Sequence, residues 1–156
     1  MPIVCSVRPY IKCKLVRRGY VNNGNASNAE YLFLEILDCG RKLLFGTRNW
    51  HRPSKNIYIK PMIDELSNLA LDYSDVILTG DFNSNILMDK GLMMDMGAIG
   101  LGHFTSSSAL LDLFFIDNRS RVLLCHQLSA SVFSRHDLIF MSYDFKTSSK
   151  ERKITF

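Results

Sequence analysis

An apolar run that ends in a carboxylate and a carboxamide is the part of this sequence best suited to chemistry. Residues 76–79 lead into Gly80, and Asp81 and Asn83 follow. A short continuous apolar run predicts a strand buried on both faces, and Gly80 allows the backbone to pack closely where that strand ends. Asp81 and Asn83 would then share one side of an extended segment, because side chains alternate with period two. Such a pair suits work on a metal ion, a water molecule or a phosphate; the alternative is an ordinary polar turn.

Two later segments repeat this pattern of a polar residue set beside a strand. Asp112 interrupts the apolar run 110–116, and His136 comes just before the apolar residues 138–140. A carboxylate in an apolar strand is costly unless it is paired, and an Asp that orients a His through a ring N–H is a common catalytic device. We therefore expect Asp112 and His136 to lie within hydrogen-bond reach, with Asp81 and Asn83 lining the same cleft. The alternatives are a salt bridge from Asp112 to an arginine and an ordinary loop or core histidine.

The elements that must position these residues can be read from periodicity and turn residues. A helix is predicted over 61–73, where apolar residues recur at three- and four-residue spacing after Pro61, and a second, methionine-rich helix over 88–96. Strands are predicted at 3–7, 11–16, 31–37, 42–48, 76–80, 110–116, 121–128 and 138–145, with a hairpin through 38–41. This order predicts one layered α/β (α+β) domain over residues 3–145, followed by a polar tail at 146–156.

Composition excludes several classes of protein. The hydrophobic content of 47% and charged content of 22% are globular values, and no apolar run approaches the roughly 20 residues needed to span a bilayer. No secretory signal is present at the N-terminus, and the four cysteines show no C-x-x-C pairing, which together favour reduced thiols in an intracellular protein. The chain has no G-x-x-x-x-G-K-[ST] motif, so it is not a P-loop nucleotide-binding module. A net charge of +4 is compatible with a polyanionic partner and does not require one.

Three motifs in a fixed order carry a resemblance to a known superfamily. G-D-x-N stands at 80–83, L-D-hydrophobic at 111–113 and S-x-H-D at 134–137. In this order they resemble the endonuclease/exonuclease/phosphatase superfamily, and most of all the endonuclease domain of jockey-type non-LTR retrotransposons. Residues 29–35, 44–53 and 103–105 add to the likeness, which extends over residues 3–145.

The resemblance implies a DNase I-like two-sheet sandwich flanked by helices and a phosphodiester hydrolase site. Asp81 would align or deprotonate the attacking water, and Asn83 would hold Asp81 and the phosphate in register. His51, Asn83 and His136 would contact the phosphate, with Asp112 fixing the ring of His136. The implied cofactor is Mg²⁺ or Mn²⁺, and the implied partner is DNA, in the cytoplasm or nucleus, with a reverse transcriptase linked to the domain in the parent element.

Three departures from the family pattern bear on activity. The metal-binding Glu of the family lies in an early strand that has no counterpart in this sequence, so the resemblance implies that the first strands are lacking and leaves the metal ligands unassigned. His51 stands where the family has a tyrosine, and Arg135 stands where an Asp usually precedes the catalytic histidine. We therefore expect weak or no activity from residues 1–156 alone. The alternatives are a catalytically dead remnant of the fold and a phosphatase of the same superfamily.

Overall fold

The computed structural model describes most of the chain in eight strands and two helices. The described residues are 12–21, 29–38, 40–50, 59–82, 90–104, 112–128 and 138–145. The elements are β1 (Lys12–Val21), β2 (Ala29–Asp38), β3 (Arg41–Trp50), α1 (Lys60–Ala70), β4 (Asp75–Asp81), α2 (Lys90–Ala98), β5 (Gly102–Phe104), β6 (Asp112–Ile116), β7 (Val122–Leu128) and β8 (Leu138–Tyr143).

Six of these strands form one large sheet, and the other two form a small one. The large sheet has the order β1-β2-β3-β4-β6-β5, and β7 and β8 pair antiparallel in the small sheet. Strands β1 to β3 form an antiparallel meander, and the predicted hairpin is confirmed, with Asp38 opposite Arg41 and Gly40 at a φ of 88° in the turn. Strand β4 runs parallel to β3, because α1 carries the chain back over the sheet between them, and β6 pairs antiparallel to β4.

Helix α1 covers one face of the large sheet, which we call the helix face. Pro61 lies in its first turn, where the missing N–H costs nothing. The buried apolar residues of α1 and α2 pack in one cluster with those of β2, β3 and β4; from the helices these are Met62, Ile63, Leu66, Leu92 and Met96. Burying one such side chain stabilises the fold by about 1.5–3 kcal/mol before entropy is counted.

The small sheet covers the opposite face of the large sheet, which we call the inner face. Ile77 of β4 and Phe114 of β6 are buried there, and Ile139 and Met141 of β8 pack against this cluster. Residues 75–78 are accordingly buried without interruption, as predicted for a strand enclosed on both sides. The predicted α/β two-sheet sandwich is confirmed, and the described helices lie on one outer side of it.

The structure corrects several details of the sequence prediction. Strand β1 continues to Val21, past the predicted end at residue 16, because its pairing with β2 extends to that point. Strand β5 was not predicted, since three residues are too few to show a period. Asp112 begins β6 and so lies at a strand end, where partial exposure lowers the cost of its charge.

Two of the four cysteines lie among the residues that the structure describes. Cys13 is exposed on β1, at the edge of the described sheet, and Cys125 is half-buried; both are free thiols. The strand predicted at 3–7 and the polar tail at 146–156 lie outside the described residues. Neither described helix is long and apolar enough to cross a membrane.

Candidate active site at the end of strand β4

A tight backbone approach defines the carboxyl end of β4. Gly80 lies directly opposite Arg48 of β3 and has a φ of 135°. A Cβ atom at this position would lie 2.0 Å from the backbone oxygen of Arg48. Glycine is required here on both counts, because other residues rarely adopt this φ and none has room for a side chain. Asp81 follows immediately, so its backbone is held against β3.

Two carboxylates meet at this end of the sheet. Asp81 is the direct antiparallel partner of Asp112, and both are half-buried. Directly opposed residues project to the same face with Cβ atoms about 4.5–5.5 Å apart. Strand alternation puts both carboxylates on the inner face, because Ile77, Phe114 and the two aspartates share one parity along β4 and β6.

The small sheet contacts the amino end of β4. Tyr143, at the end of β8, donates a hydrogen bond to Asp75 at the start of β4. His136, Asn83 and His51 lie outside the described residues, so the predicted pairing of Asp112 with His136 stays a prediction.

Arg48 brings a buried positive charge to the same end of the sheet. Its side chain is 3% exposed, and its guanidinium carbon lies 4.4 Å from the centroid of the Phe82 ring. Burial lowers the pKa of Arg48 to about 9, and the negative charge of Asp81 acts in the opposite direction. The side chain therefore remains a cation at neutral pH. Sequence reasoning missed this residue, although a charge within the apolar strand 42–48 is the same signal that pointed to Asp112.

Aromatic rings extend the surface under Arg48 on the helix face. Phe82 packs edge-on against Phe115 with ring centroids 5.1 Å apart, and His103 of β5 packs on Phe115 at 6.0 Å. Burial, and then the positive charge of Arg119, lower the pKa of His103 below its ordinary value. Its Nε2 atom is buried and has no hydrogen-bond partner among the described residues. Neutral, closely packed rings make this side of the site apolar and stiff.

The opposite end of β4 holds a different carboxylate cluster. Asp75 is 1% exposed and accepts a hydrogen bond from Arg41 at 2.6 Å and one from the Tyr143 hydroxyl at 3.0 Å; Arg121 lies 3.3 Å away. Asp117 accepts from the backbone N–H of Val76. Burial, then the charges of Asp117 and Asp75, raise the pKa of Tyr143, so its hydroxyl stays protonated. These contacts bind the small sheet to the large one.

The described residues do not make a metal centre by themselves. Within the parts of the chain that the structure describes, no three His, Cys, Asp or Glu side chains are grouped closely enough to hold a metal ion. Asp81 and Asp112 are two hard oxygen donors, which is fewer than a self-sufficient divalent-cation site supplies. No metal ligand is assigned to them here.

The two-sheet sandwich with helices outside is the fold of the endonuclease/exonuclease/phosphatase proteins. A family protein of this kind from Leptotrichia buccalis C-1013-b superposes with a TM-score of 0.59 at 16% identity, over 85% of this chain and 62% of that one. The endonuclease domain of TRAS1, a telomere-specific non-LTR retrotransposon, superposes with a TM-score of 0.60 at 10% identity, over 88% of this chain and 81% of that one.

These comparisons establish the fold, as the motifs predicted. No family model matches the sequence, and no curated protein matches it. The chain also spans less than two thirds of the length of the Leptotrichia protein. Of the predicted site residues, the structure brings Asp81 and Asp112 together.

Proposed function

We propose that this chain is a phosphodiester hydrolase domain that cleaves DNA and that descends from a retrotransposon endonuclease. The observation that carries the proposal is the direct opposition of Asp81 and Asp112 at the carboxyl end of an enclosed strand. Two half-buried carboxylates at the end of an enclosed strand are suited to activate a water molecule and to orient a neighbouring histidine. The fold shared with the TRAS1 endonuclease domain supports the same proposal.

In this proposal the two carboxylates have different tasks. Asp81 accepts a proton from the attacking water and aligns it, since it follows a backbone that Gly80 and Arg48 hold in place. Asp112 orients the ring of His136, which enters β8 from the sequence just before Leu138, and His136 donates to the phosphate as negative charge builds up. Asn83 and His51 complete the contacts to phosphate.

The cofactor and partner are part of the same proposal. Mg²⁺ or Mn²⁺ would neutralise phosphate charge and favour the leaving oxygen. DNA in the cytoplasm or nucleus is the proposed substrate, with a linked reverse transcriptase in the parent element. The exposed side chains of Lys12 and Lys14 on β1 offer positive charge to such a polyanion, whereas Arg17 on the same strand pairs with Glu65 of α1.

Nicking of supercoiled plasmid in Mg²⁺ tests the proposal. Two forms are assayed: residues 1–156, and a longer form in which a Glu-bearing first strand of the resembling family is supplied ahead of them. We expect little or no nicking by the short form and clear nicking by the longer one, because the resemblance assigns metal binding to that Glu. His136→Ala and Asp81→Asn should each abolish the activity of the longer form, and Lys42→Met, at the far end of β3, should leave it unchanged.

Two results would overturn the proposal. Absence of nicking by both forms, with both folded, would favour a catalytically dead remnant. Release of phosphate from small phosphate esters without any nicking would favour a phosphatase of the same fold. Nicking by the short form that is lost in Asp81→Asn would keep the function and show that the expected weakness of residues 1–156 was wrong.

A further inference from the structure

The acidic pair presents an electrostatic problem for the proposed chemistry. Asp81 and Asp112 are direct cross-strand partners and half-buried, so their charges repel each other where water screens them poorly. A general base must be ionised at the working pH, and a nearby positive charge would favour the ionised form of Asp81 beside Asp112.

Arg48 has the placement that this requires. It is the direct partner of Gly80, one residue before Asp81, and the strands approach closely there because Gly80 has no side chain. Strand alternation puts Arg48 on the helix face, with Leu44 and the buried Gly46, while the carboxylates lie on the inner face. The cation thus lies behind the sheet from the acidic pair, where solvent reaches it least.

The surroundings of Arg48 fix the cation in this position. The Phe82 ring lies 4.4 Å from the guanidinium carbon and is itself fully buried against Phe115. A buried guanidinium on a ring face gains a cation–π attraction and has few other positions to adopt. Phe82 directly follows Asp81 in the chain. The ring that contacts Arg48 therefore belongs to the residue next to Asp81.

We infer that Arg48 is a positioning residue of the proposed site, whose buried charge, held on Phe82, keeps the Asp81 carboxylate ionised beside Asp112. This inference rests on the proposed function for its purpose, but the interaction itself can be measured without any activity. The mutual influence of the two charges is consistent with it, since Asp81 favours the protonated form of Arg48 and the effect is reciprocal.

The described strands bring three more titratable side chains to this part of the sheet. Strand β3 contributes Arg48, and β6 contributes Asp112. Strand β5 contributes His103, which lies beyond Phe115 and whose pKa is lowered by burial. Of these three side chains, Arg48 is the one whose positive charge opposes the charge of Asp112.

The test is the titration of Asp81 by carboxyl-carbon NMR on residues 1–156, with Asp81→Asn used to assign the resonance. In Arg48→Met and Arg48→Gln we expect the titration midpoint of Asp81 to rise by about one pH unit, the effect of one charge at moderate distance in a protein interior. Arg48→Lys keeps a cation and should restore most of the shift. Lys42→Met removes a charge from the far end of the same strand, so the midpoint should stay unchanged.

A reciprocal measurement covers the case in which the Arg48 variants do not fold. Asp81→Asn should move the Nε resonance of Arg48, whereas Asp64→Asn, an equal change of charge on exposed α1, should not. An unmoved Asp81 midpoint in the folded Arg48 variants, or an unmoved Arg48 resonance in Asp81→Asn, would overturn the inference. Either result would leave the nicking experiment intact, so the inference and the proposed function can fail separately.

Discussion

The two ends of β4 each hold an aspartate, and their surroundings are opposite in character. Asp75, at the amino end, is 1% exposed and is met by two arginines and a tyrosine hydroxyl. Asp81, at the carboxyl end, is half-buried and faces another carboxylate, Asp112. The first arrangement satisfies a charge fully and joins two sheets. The second places two negative charges opposite each other, and their mutual repulsion is unfavourable for stability.

One strand thus carries a structural aspartate, Asp75, at its amino end and a candidate site residue, Asp81, at its carboxyl end. The apolar residues 76–78 between the two ends are buried on both faces and keep them apart. At the amino end, Arg41, Arg121 and the Tyr143 hydroxyl already contact Asp75. The carboxyl end holds the candidate site residues Asp81 and Asp112.

Asp75→Ala is expected to give the largest effect. It removes the buried carboxylate that Arg41, Arg121 and the Tyr143 hydroxyl share, which should lower the free energy of unfolding by about 3 kcal/mol, near the low end for a broken buried pair because both arginines are partly exposed. Urea denaturation followed by circular dichroism measures this. Asp64→Ala is the control, because its exposed pair with Lys60 is worth at most about 0.5 kcal/mol. A loss of less than about 1 kcal/mol for Asp75→Ala would show that the amino end is not a structural centre.

Gly80→Ala should come second. A Cβ atom here meets the backbone of Arg48 and the residue must keep a φ of 135°, so we expect a loss of about 2 kcal/mol or more. Gly97→Ala in α2 is the matched control, since nothing lies within 4 Å of the added atom; helix propensity predicts a gain of up to about 1 kcal/mol there. Equal effects of the two substitutions would contradict the close approach of β3 and β4.

Asp81→Asn should change stability little, because two effects oppose each other. Loss of the repulsion with Asp112 raises the free energy of unfolding, whereas loss of a negative charge that favours the buried Arg48 cation lowers it, so we expect a net change within about 1 kcal/mol. Nicking by the active form should fall by about 10²- to 10⁴-fold, the usual contribution of a general base. Thermal melting and plasmid nicking on the same preparation measure both. A destabilisation as large as that of Asp75→Ala would show that Asp81, like Asp75, has a mainly structural role.

The smallest expected effect is the pH dependence contributed by Asp117. Desolvation, and then the charge of Asp75, raise the pKa of Asp117 against the opposing hydrogen bond from Val76 N–H. A folded pKa above the unfolded one means that the contribution to stability is complete below pH 3.8 and is lost as the pH rises through the folded value. In Asp117→Asn the free energy of unfolding should therefore fall less over this window, as measured by urea titrations at several pH values. If the pH dependence of the free energy of unfolding is the same in Asp117→Asn as in the unchanged protein, the pKa of Asp117 is not raised by folding.

Much of the fold and part of the site could be predicted from the sequence. The period-two and continuous apolar patterns located seven of the described strands, and the spacing after Pro61 located α1. Asp81 and Asp112 could be selected because each breaks an apolar run, and a charge in such a run requires a reason. Their direct opposition depends on the pairing of β4 with β6, which no local pattern contains.

The rest depends on contacts between residues far apart in sequence. Arg41 and Tyr143 reach Asp75 from 34 and 68 residues away, so neither was identified as its partner. Arg48 was taken as an ordinary strand residue, because its significance comes from Gly80 and Phe82, which reach it only when β4 pairs with β3. Such partners follow from topology, which the sequence pattern specifies only coarsely.

The hairpin turn at Gly40 also has a consequence for the order of folding. Its ladder joins Asp38 to Arg41 and ends at Ala29 and Trp50, so all of its contacts are local and should form within microseconds. We expect β4 to pair with β3 later, because two parallel strands can pair only after the connecting segment that contains α1 has crossed the sheet. Arg48 is thus set on the helix side of the hairpin, roughly 26 Å along the strand from the turn, before Asp81 is in place. One residue inserted at Gly40 would direct Arg48 to the other side, and a change in a fast-folding turn would then alter a remote charge while leaving the residues of the site intact.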